Sequence, residues 1–137
     1  MEDKKKFQIV SCSGASNTGK YTDDVARILS AAGNADMICL AKVAIGDWPL
    51  IKSVKEKNTK IIVLDGCPFN CAEKILGDAG INNIIHLNTT DFGIIKGKTP
   101  VTSEKVNEIV EHIKSLFNGK NEKNTSVIPD YYSSNPQ

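Results

Sequence analysis

Apolar runs alternate along this chain with segments whose apolar residues recur every three or four positions. The clearest run is Lys60–Asp65, in which four consecutive apolar residues precede an acid and a glycine. An uninterrupted apolar run of this length is typical of a strand covered on both faces in a parallel sheet. Similar runs predict further strands at Phe7–Cys12, Ala35–Ala41 and Ile81–Asn88, of which the second could instead end in a helical turn.

Segments with helical spacing lie between and after these strands. Tyr21–Ala32 and Thr102–Asn118 carry the clearest apolar faces, and the second has a threonine placed to cap it. A short helix follows a turn at Asp47, and another follows the third strand, where Pro68 suits the first helical position. The alternation predicts an α/β fold of three layers, with a four-stranded, mainly parallel sheet of flavodoxin-like or Rossmann-like type.

Length and charge restrict the class of protein. The chain has 137 residues, 40% of them apolar, so we expect one domain over residues 1–119 and a polar C-terminal tail over residues 120–137. A net charge of +1 without a dense basic patch gives no electrostatic footprint for nucleic acid. No apolar run approaches the roughly 18 residues of a membrane span. We expect a cytoplasmic protein without nucleic-acid or membrane partners, and the exposed edge of an open sheet would allow a homodimer.

The four cysteines fall where predicted strands end. Cys12, Cys39 and Cys67 end or follow the first, second and third strands, and Cys71 lies near the start of the next helix. With a strand order of 2-1-3-4, the first and third strands flank the switch point where open sheets bind ligands. We therefore expect the four thiols to lie together at the carboxyl edge. Exposed N–H groups at a helix N-terminus favour the thiolate form, which is the form that binds metal.

Thiols in a reducing compartment serve metal binding, catalysis or simple burial more often than structural disulfides. Four thiolates suit tetrahedral zinc with Zn–S bonds of about 2.3 Å, and an iron–sulfur cluster is the less favoured alternative. For Cys39 alone, burial as a small apolar residue is the favoured interpretation.

A histidine at the same edge, His86, is predicted to be a satisfied structural residue and not a ligand. Residues expected to surround the sulfurs or to bind an anion are Ser13, Gly14, Asn17, Lys20, Asp65 and Gly66.

Two enzymatic or ligand-binding alternatives stay open. Cys67 and Cys71 could perform thiol redox chemistry, or zinc held by three thiolates could keep an open catalytic position if Cys39 lies elsewhere. The segment Gly14–Lys20 also matches the G-x-x-x-x-G-K part of a phosphate-binding loop after a strand. Against nucleotide binding, Tyr21 occupies the position of the serine or threonine that holds Mg²⁺.

Several short motifs together resemble one known family, the DGC domain family, named for its Asp-Gly-Cys sequence. They are Cys12-Ser13-Gly14-Ala15-Ser16-Asn17, Cys39-Leu40-Ala41, Asp65-Gly66-Cys67-Pro68 and Cys71-Ala72. The resemblance extends from about Phe7 to Lys98 and through the last helix. It implies zinc binding through Cys12, Cys39, Cys67 and Cys71, in a family without an established biochemical function. We therefore predict one zinc ion per chain in a structural, sensing or metal-handling role, and leave open whether the protein is an enzyme.

Overall fold

The computed structural model describes residues 7–118. Within this part of the chain, four strands alternate with helices. The elements in order are β1 (Phe7–Ser11), α1 (Asn17–Ala31), β2 (Ala35–Met37), α2 (Leu40–Ala44), α3 (Trp48–Glu56), β3 (Lys60–Asp65), α4 (Cys71–Asp78), β4 (Ile84–Asn88), a 3-10 helix (Thr89–Phe92) and α5 (Ser103–Asn118).

The strands form one sheet with the spatial order β2-β1-β3-β4, and all three neighbouring pairs are parallel. Every residue of β1 is buried, and so is all of β3 after Lys60. This burial explains the uninterrupted apolar runs, because the central strands of a parallel sheet are covered on both faces. The predicted strand order and parallel sheet are confirmed.

Helices cover both faces of the sheet. On one face, Ile9 and Ile62 pack in a core with α1 and α5. On the other face, Val10 and Val63 pack in a second core with α2, α3 and α4. Alternate residues of each central strand therefore serve opposite cores, and the predicted three-layer α/β architecture is confirmed.

Helix α1 begins at Asn17, one turn before the predicted start at Tyr21. Its cap is Ser16, whose Oγ accepts a hydrogen bond from the backbone N–H of Gly19 at 3.2 Å. Gly19 lies in the first helical turn. A Cβ at this position would lie only 2.6 Å from the carbonyl oxygen of Gly14, so the position requires glycine. The glycine thus permits close packing of the helix on the preceding loop, so the prediction of a longer loop was wrong.

The start of α4 also differs from the prediction. Pro68 does not occupy its first turn, because the helix begins three residues later, at Cys71. Asn70 precedes it in the left-handed conformation, with φ of +50°, and its side chain makes no capping hydrogen bond. The chain therefore makes a tight turn between Cys67 and Cys71 before the helix starts.

Two predicted strands are shorter in the structure. The second ends at Met37 and is followed by the short helix α2, so the alternative of a helical turn there was correct. The fourth begins at Ile84, three residues later than predicted.

The last helix has the predicted threonine cap, since Thr102 Oγ1 accepts from the N–H of Lys105 at 3.2 Å. Near its end, the ring of Phe117 stacks on Phe7 with centroids 4.2 Å apart.

The expected tail over residues 120–137 lies outside the described residues. None of the described helices is long and apolar enough to traverse a bilayer.

Candidate thiol site at the carboxyl edge of the sheet

Three of the four cysteines line a single cleft at the carboxyl edge of the sheet. Cys12 follows β1 directly, Cys67 lies two residues after β3, and Cys71 is the first residue of α4. The cleft has a volume of about 440 Å³, within the usual range for ligand sites. Helices α1 and α4 leave β1 and β3 toward opposite faces of the sheet, so the cleft lies at the topological switch point. We call it the thiol cleft.

The fourth cysteine, Cys39, occupies a neighbouring cleft. It precedes α2 and lines a space of about 400 Å³ together with Cys12, Asp23 and Arg27. Cys12 therefore borders both clefts. Cys39 is exposed, so the interpretation that it is buried as a small apolar residue was wrong. Within residues 7–118, no three or more His, Cys, Asp or Glu side chains lie close enough together to hold a metal ion as they stand. The structure brings three of the predicted ligands to one cleft and leaves Cys39 beside it.

The Cys12 thiol is oriented by the first turns of α1. Its Sγ lies 3.6 Å from Oγ1 of Thr22. That hydroxyl donates its proton to the carbonyl of Gly19 at 2.6 Å and accepts from the N–H of Ser13 at 3.1 Å. A hydroxyl has one proton to give, so the sulfur is the donor in its contact with Thr22.

The loops after β1 and β3 touch backbone to backbone. A Cβ on Gly66, the glycine of the Asp-Gly-Cys motif, would lie 2.8 Å from the carbonyl carbon and oxygen of Thr18 and 2.9 Å from the nitrogen of Gly19. No side chain can occupy that position without moving the start of α1. Gly66 therefore sets the separation between the loop that carries Cys67 and the helix that follows Cys12.

The aspartate of the same motif caps α4 from a distance in the chain. Asp65 is 1% exposed, and its two carboxylate oxygens accept from the N–H groups of Ala72 at 2.8 Å and Glu73 at 3.1 Å. It thus replaces the missing side-chain cap of Asn70, because a carboxylate satisfies the free N–H groups of a first helical turn and complements its dipole. The cap fixes the helix turn on which Cys71 lies.

His86 supports this carboxylate from the adjacent strand. Its Nε2 lies 2.9 Å from Oδ2 of Asp65, and its Nδ1 lies 3.8 Å from a carboxylate oxygen of Glu73. An ionised carboxylate only accepts hydrogen bonds, so the imidazole is the donor. His86 lies in the middle of β4, opposite Val63, and not at the strand end that the sequence predicted. Its contacts agree with the prediction of a satisfied structural histidine.

Asn88 is a residue of this edge that sequence reasoning missed. Its amide nitrogen donates to the carbonyl of Cys67 and to Oδ1 of Asn70, both at 2.9 Å. Asn88 lies beside Asp65 in the sheet register, at the carboxyl end of β4. A polar residue at the end of the strand next to the Asp-Gly-Cys strand was the signal that could have revealed it. It holds the turn that carries Cys67.

The positive charge of the cleft comes from a lysine that the sequence analysis did not select. Nζ of Lys20, the expected cation, pairs with the buried carboxylate of Asp24 at 3.0 Å. Lys96 instead lines the thiol cleft. Asn17, another expected site residue, holds the loop of Lys96 through its side-chain amide.

The residue at the Mg²⁺ position of the phosphate-loop alternative belongs to the core. Tyr21 is fully buried, its hydroxyl donates to the carbonyl of Pro100 at 2.7 Å, and it accepts from the N–H of Thr102 at 3.1 Å. A phenol held in this way supports the start of α5 and has no free group for a metal-bound nucleotide. The contact weakens the nucleotide hypothesis.

The fold and this edge together define a small α/β protein with a thiol-lined cleft at the switch point of a parallel sheet. The family model of the DGC domain matches residues 8–113, and the chain belongs to the DGC domain family. This confirms the resemblance carried by the cysteine motifs.

One curated relative is a Pseudomonas aeruginosa (strain PAO1) protein named "Anaerobic and virulence modulator AnvM". It is 34% identical over 88 residues, which cover 64% of this chain and 66% of the relative. No solved structure matches the chain, so the flavodoxin-like label stays a prediction.

Proposed function

We propose that this protein binds one zinc ion in the thiol cleft through Cys12, Cys67 and Cys71. The observation that carries the proposal is that these three thiols, from two loops far apart in sequence, line the same cleft. Thiolates are the soft ligands that zinc prefers, so the donor set suits this ion. Cys71 is exposed and Cys67 and Cys12 are partly exposed, so the ion can reach all three.

Zinc binding requires the sulfurs to move closer together than they stand in residues 7–118. The tight turn between Cys67 and Cys71 carries two of the three thiols, so one movement of this turn, against the hydrogen bonds from Asn88 that hold it, would shift two ligands at once. Cys39 reaches the ion only if the segment before α2 also shifts, because it lines the neighbouring cleft. We therefore propose three protein thiolates as the minimal set and Cys39 as the fourth ligand of a closed site.

The number of thiolates decides the role of the metal. Four thiolates give a closed site of structural or sensing type, whereas three leave a position for water or another ligand. Bound zinc would supply Lewis-acid chemistry at such an open position. We favour sensing or handling of the metal. The name of the relative calls that protein a modulator, and we extend a regulatory role of this kind to the present chain.

Zinc titration against a chromophoric chelator tests the proposal on four single Cys→Ser variants. Loss of Cys12, Cys67 or Cys71 should weaken zinc affinity by more than about 100-fold, beyond the 10- to 100-fold typical of changes outside the ligand set. Cys39→Ser should have a similar effect in a closed site and a small effect in a three-thiolate site. A wild-type protein that leaves all zinc with the chelator, or Cys12, Cys67 and Cys71 variants that bind zinc as tightly as the wild type, would overturn the proposal.

A thiol redox role for Cys67 and Cys71 is the second candidate. Three observations favour it: neither cysteine is in a disulfide, both line the same cleft, and Cys71 is exposed. The measurement is mass spectrometry of the metal-free protein in glutathione buffers of different redox poise. A reversible Cys67–Cys71 disulfide that forms within the cytosolic range would support this candidate, and mixed disulfides alone would argue against it.

A further inference from the structure

Lys96 is the lysine of the described residues 7–118 that lines the thiol cleft. It lies in the loop between the 3-10 helix and α5. No carboxylate among residues 7–118 lies within ion-pair distance of its amine. Its charge is therefore not neutralised by a neighbour there.

The loop that carries Lys96 is tightly bonded. The side chain of Asn17, at the first position of α1, donates to the carbonyls of Ile95 at 3.1 Å and Thr99 at 2.7 Å, and accepts from the N–H of Gly97 at 2.7 Å. The loop also closes on itself, because Thr99 Oγ1 accepts from the N–H of Ile95 at 2.8 Å. One asparagine thus fixes the backbone on both sides of Lys96 and ties it to the helix that follows Cys12.

The position of Lys96 suits the negative charge that zinc bound to three thiolates would have. Three thiolates with one Zn²⁺ carry a net charge of −1, which a nearby cation would offset. Lys20 pairs with the buried carboxylate of Asp24, so its charge is already offset. Among residues 7–118, Lys96 is the lysine that lines the cleft and can offset the charge of zinc bound to three thiolates.

We propose that Lys96 is the cationic residue of the thiol cleft, which offsets the charge of the thiolates and attracts anionic thiol-reactive ligands, and that Asn17 is its positioning residue. The preference for anionic ligands holds for the metal-free protein. The part of the proposal that concerns the metal rests on the zinc function proposed above.

Disulfide exchange on the metal-free protein tests the first part. A Cys39→Ser background restricts the reaction to the thiols of the cleft. In each reaction a protein thiolate attacks the S–S bond of an aromatic disulfide, a mixed disulfide forms, and one aromatic thiolate leaves with the electron pair. The two probes are 5,5′-dithiobis(2-nitrobenzoate), which is doubly negative, and neutral 2,2′-dithiodipyridine. The measured quantity is the ratio of their rate constants.

Lys96→Gln should lower this ratio about 3- to 10-fold, the effect of one elementary charge several ångströms from a doubly charged reagent in a water-like dielectric. High salt should reduce the difference. Lys96→Arg should retain the wild-type ratio, and Asn17→Ala should lower it because the loop is released. The matched control is Lys98→Gln, which removes a lysine of the same loop that does not line the cleft. Equal ratios for Lys96→Gln and Lys98→Gln would overturn the proposal.

Zinc affinity tests the second part separately. Lys96→Gln should weaken zinc binding about 10-fold, as expected for a group outside the ligand set, while Lys98→Gln leaves it unchanged. If the protein binds no zinc but the disulfide ratio depends on Lys96, the zinc function fails and the anion preference stands. If zinc binds equally well to both variants and the ratio is also unchanged, Lys96 has no role in the cleft.

Discussion

The imidazole Nε2 of His86 lies 2.9 Å from the carboxylate Oδ2 of Asp65. The same carboxylate caps helix α4, on which Cys71 is the first residue. A series of hydrogen bonds therefore runs from the middle of β4 to the helix turn that carries Cys71. These hydrogen bonds give the aspartate at the end of β3 a structural role, and replacement of Asp65 tests that role.

Asp65→Ala should lower the free energy of unfolding by about 1–3 kcal/mol, because it leaves a buried N–H of α4 without an acceptor. It should also change the alkylation rate of Cys71, since the first turn of α4 is no longer fixed. Urea unfolding and mass spectrometry of iodoacetamide-treated protein measure the two effects. The matched control is Asp47→Ala, which removes the cap of α3, where Asp47 accepts from the N–H of Leu50 at 3.3 Å. If both variants alkylate Cys71 at the wild-type rate, Asp65 has only a stabilising role.

Two glycine replacements near the cleft should have opposite effects on stability. Gly66→Ala places a methyl group 2.8 Å from the backbone of Thr18, so we expect a loss of about 1–3 kcal/mol or more from overpacking. Gly77 lies within α4 with open space around its Cβ position. Gly77→Ala should therefore raise stability by about 0.5–1 kcal/mol, the difference in helix propensity. Thermal unfolding of both variants measures the two changes in stability. Equal changes of the same sign would show that the close contact at Gly66 does not restrict this position to glycine.

A chain that ends at Asn118 should fold with unchanged stability, within about 0.5 kcal/mol, because both described cores are formed by residues 7–117. Urea unfolding of this chain beside the full-length protein measures the difference. The control is a chain that ends at Leu116, which also lacks Phe117 and its stacking on Phe7, and should be less stable. A marked loss of stability already at Asn118 would mean that residues 119–137 contribute to the fold.

Replacements of Lys20 and Cys71 separate metal binding from nucleotide binding. Cys71→Ser should sharply lower zinc affinity, whereas Lys20→Ala should reduce it no more than about 10-fold. Neither wild type nor variant should bind ATP or GTP at micromolar concentration, because Tyr21 is committed to the core. Isothermal titration with each nucleotide measures this. Micromolar binding that disappears in Lys20→Ala would support the phosphate-loop hypothesis instead.

The sheet was predictable from the sequence because apolar runs at β1 and β3 report burial on two faces directly. Their neighbours were harder to delimit. Helix α1 starts inside a glycine-rich segment, and only the close contact of Gly19 with the Gly14 backbone explains why it does so. Helix α4 starts after Pro68 because its cap comes from Asp65, six residues before its first residue, and not from a local serine or threonine.

The edge of the sheet at which the candidate site lies was predictable from the sequence, but the positions of its individual side chains were not. The ends of parallel strands share one edge, so Cys12 and Cys67 could be brought together from strand positions alone. Cys39 follows a strand of only three residues and a turn into α2, which direct it to the neighbouring cleft. Lys96 could not be found from sequence, because its position depends on side-chain bonds from Asn17, about 80 residues away in the chain.

The central claim is that the thiol cleft binds zinc, and elemental analysis of protein purified without chelators tests it most directly. We expect about one zinc ion per chain and little iron in the wild type. The Cys12→Ser/Cys67→Ser/Cys71→Ser variant, confirmed as folded by circular dichroism, should contain almost none. Equal zinc in the wild type and this variant, iron in place of zinc, or no metal in the wild type after zinc is supplied, would contradict the account.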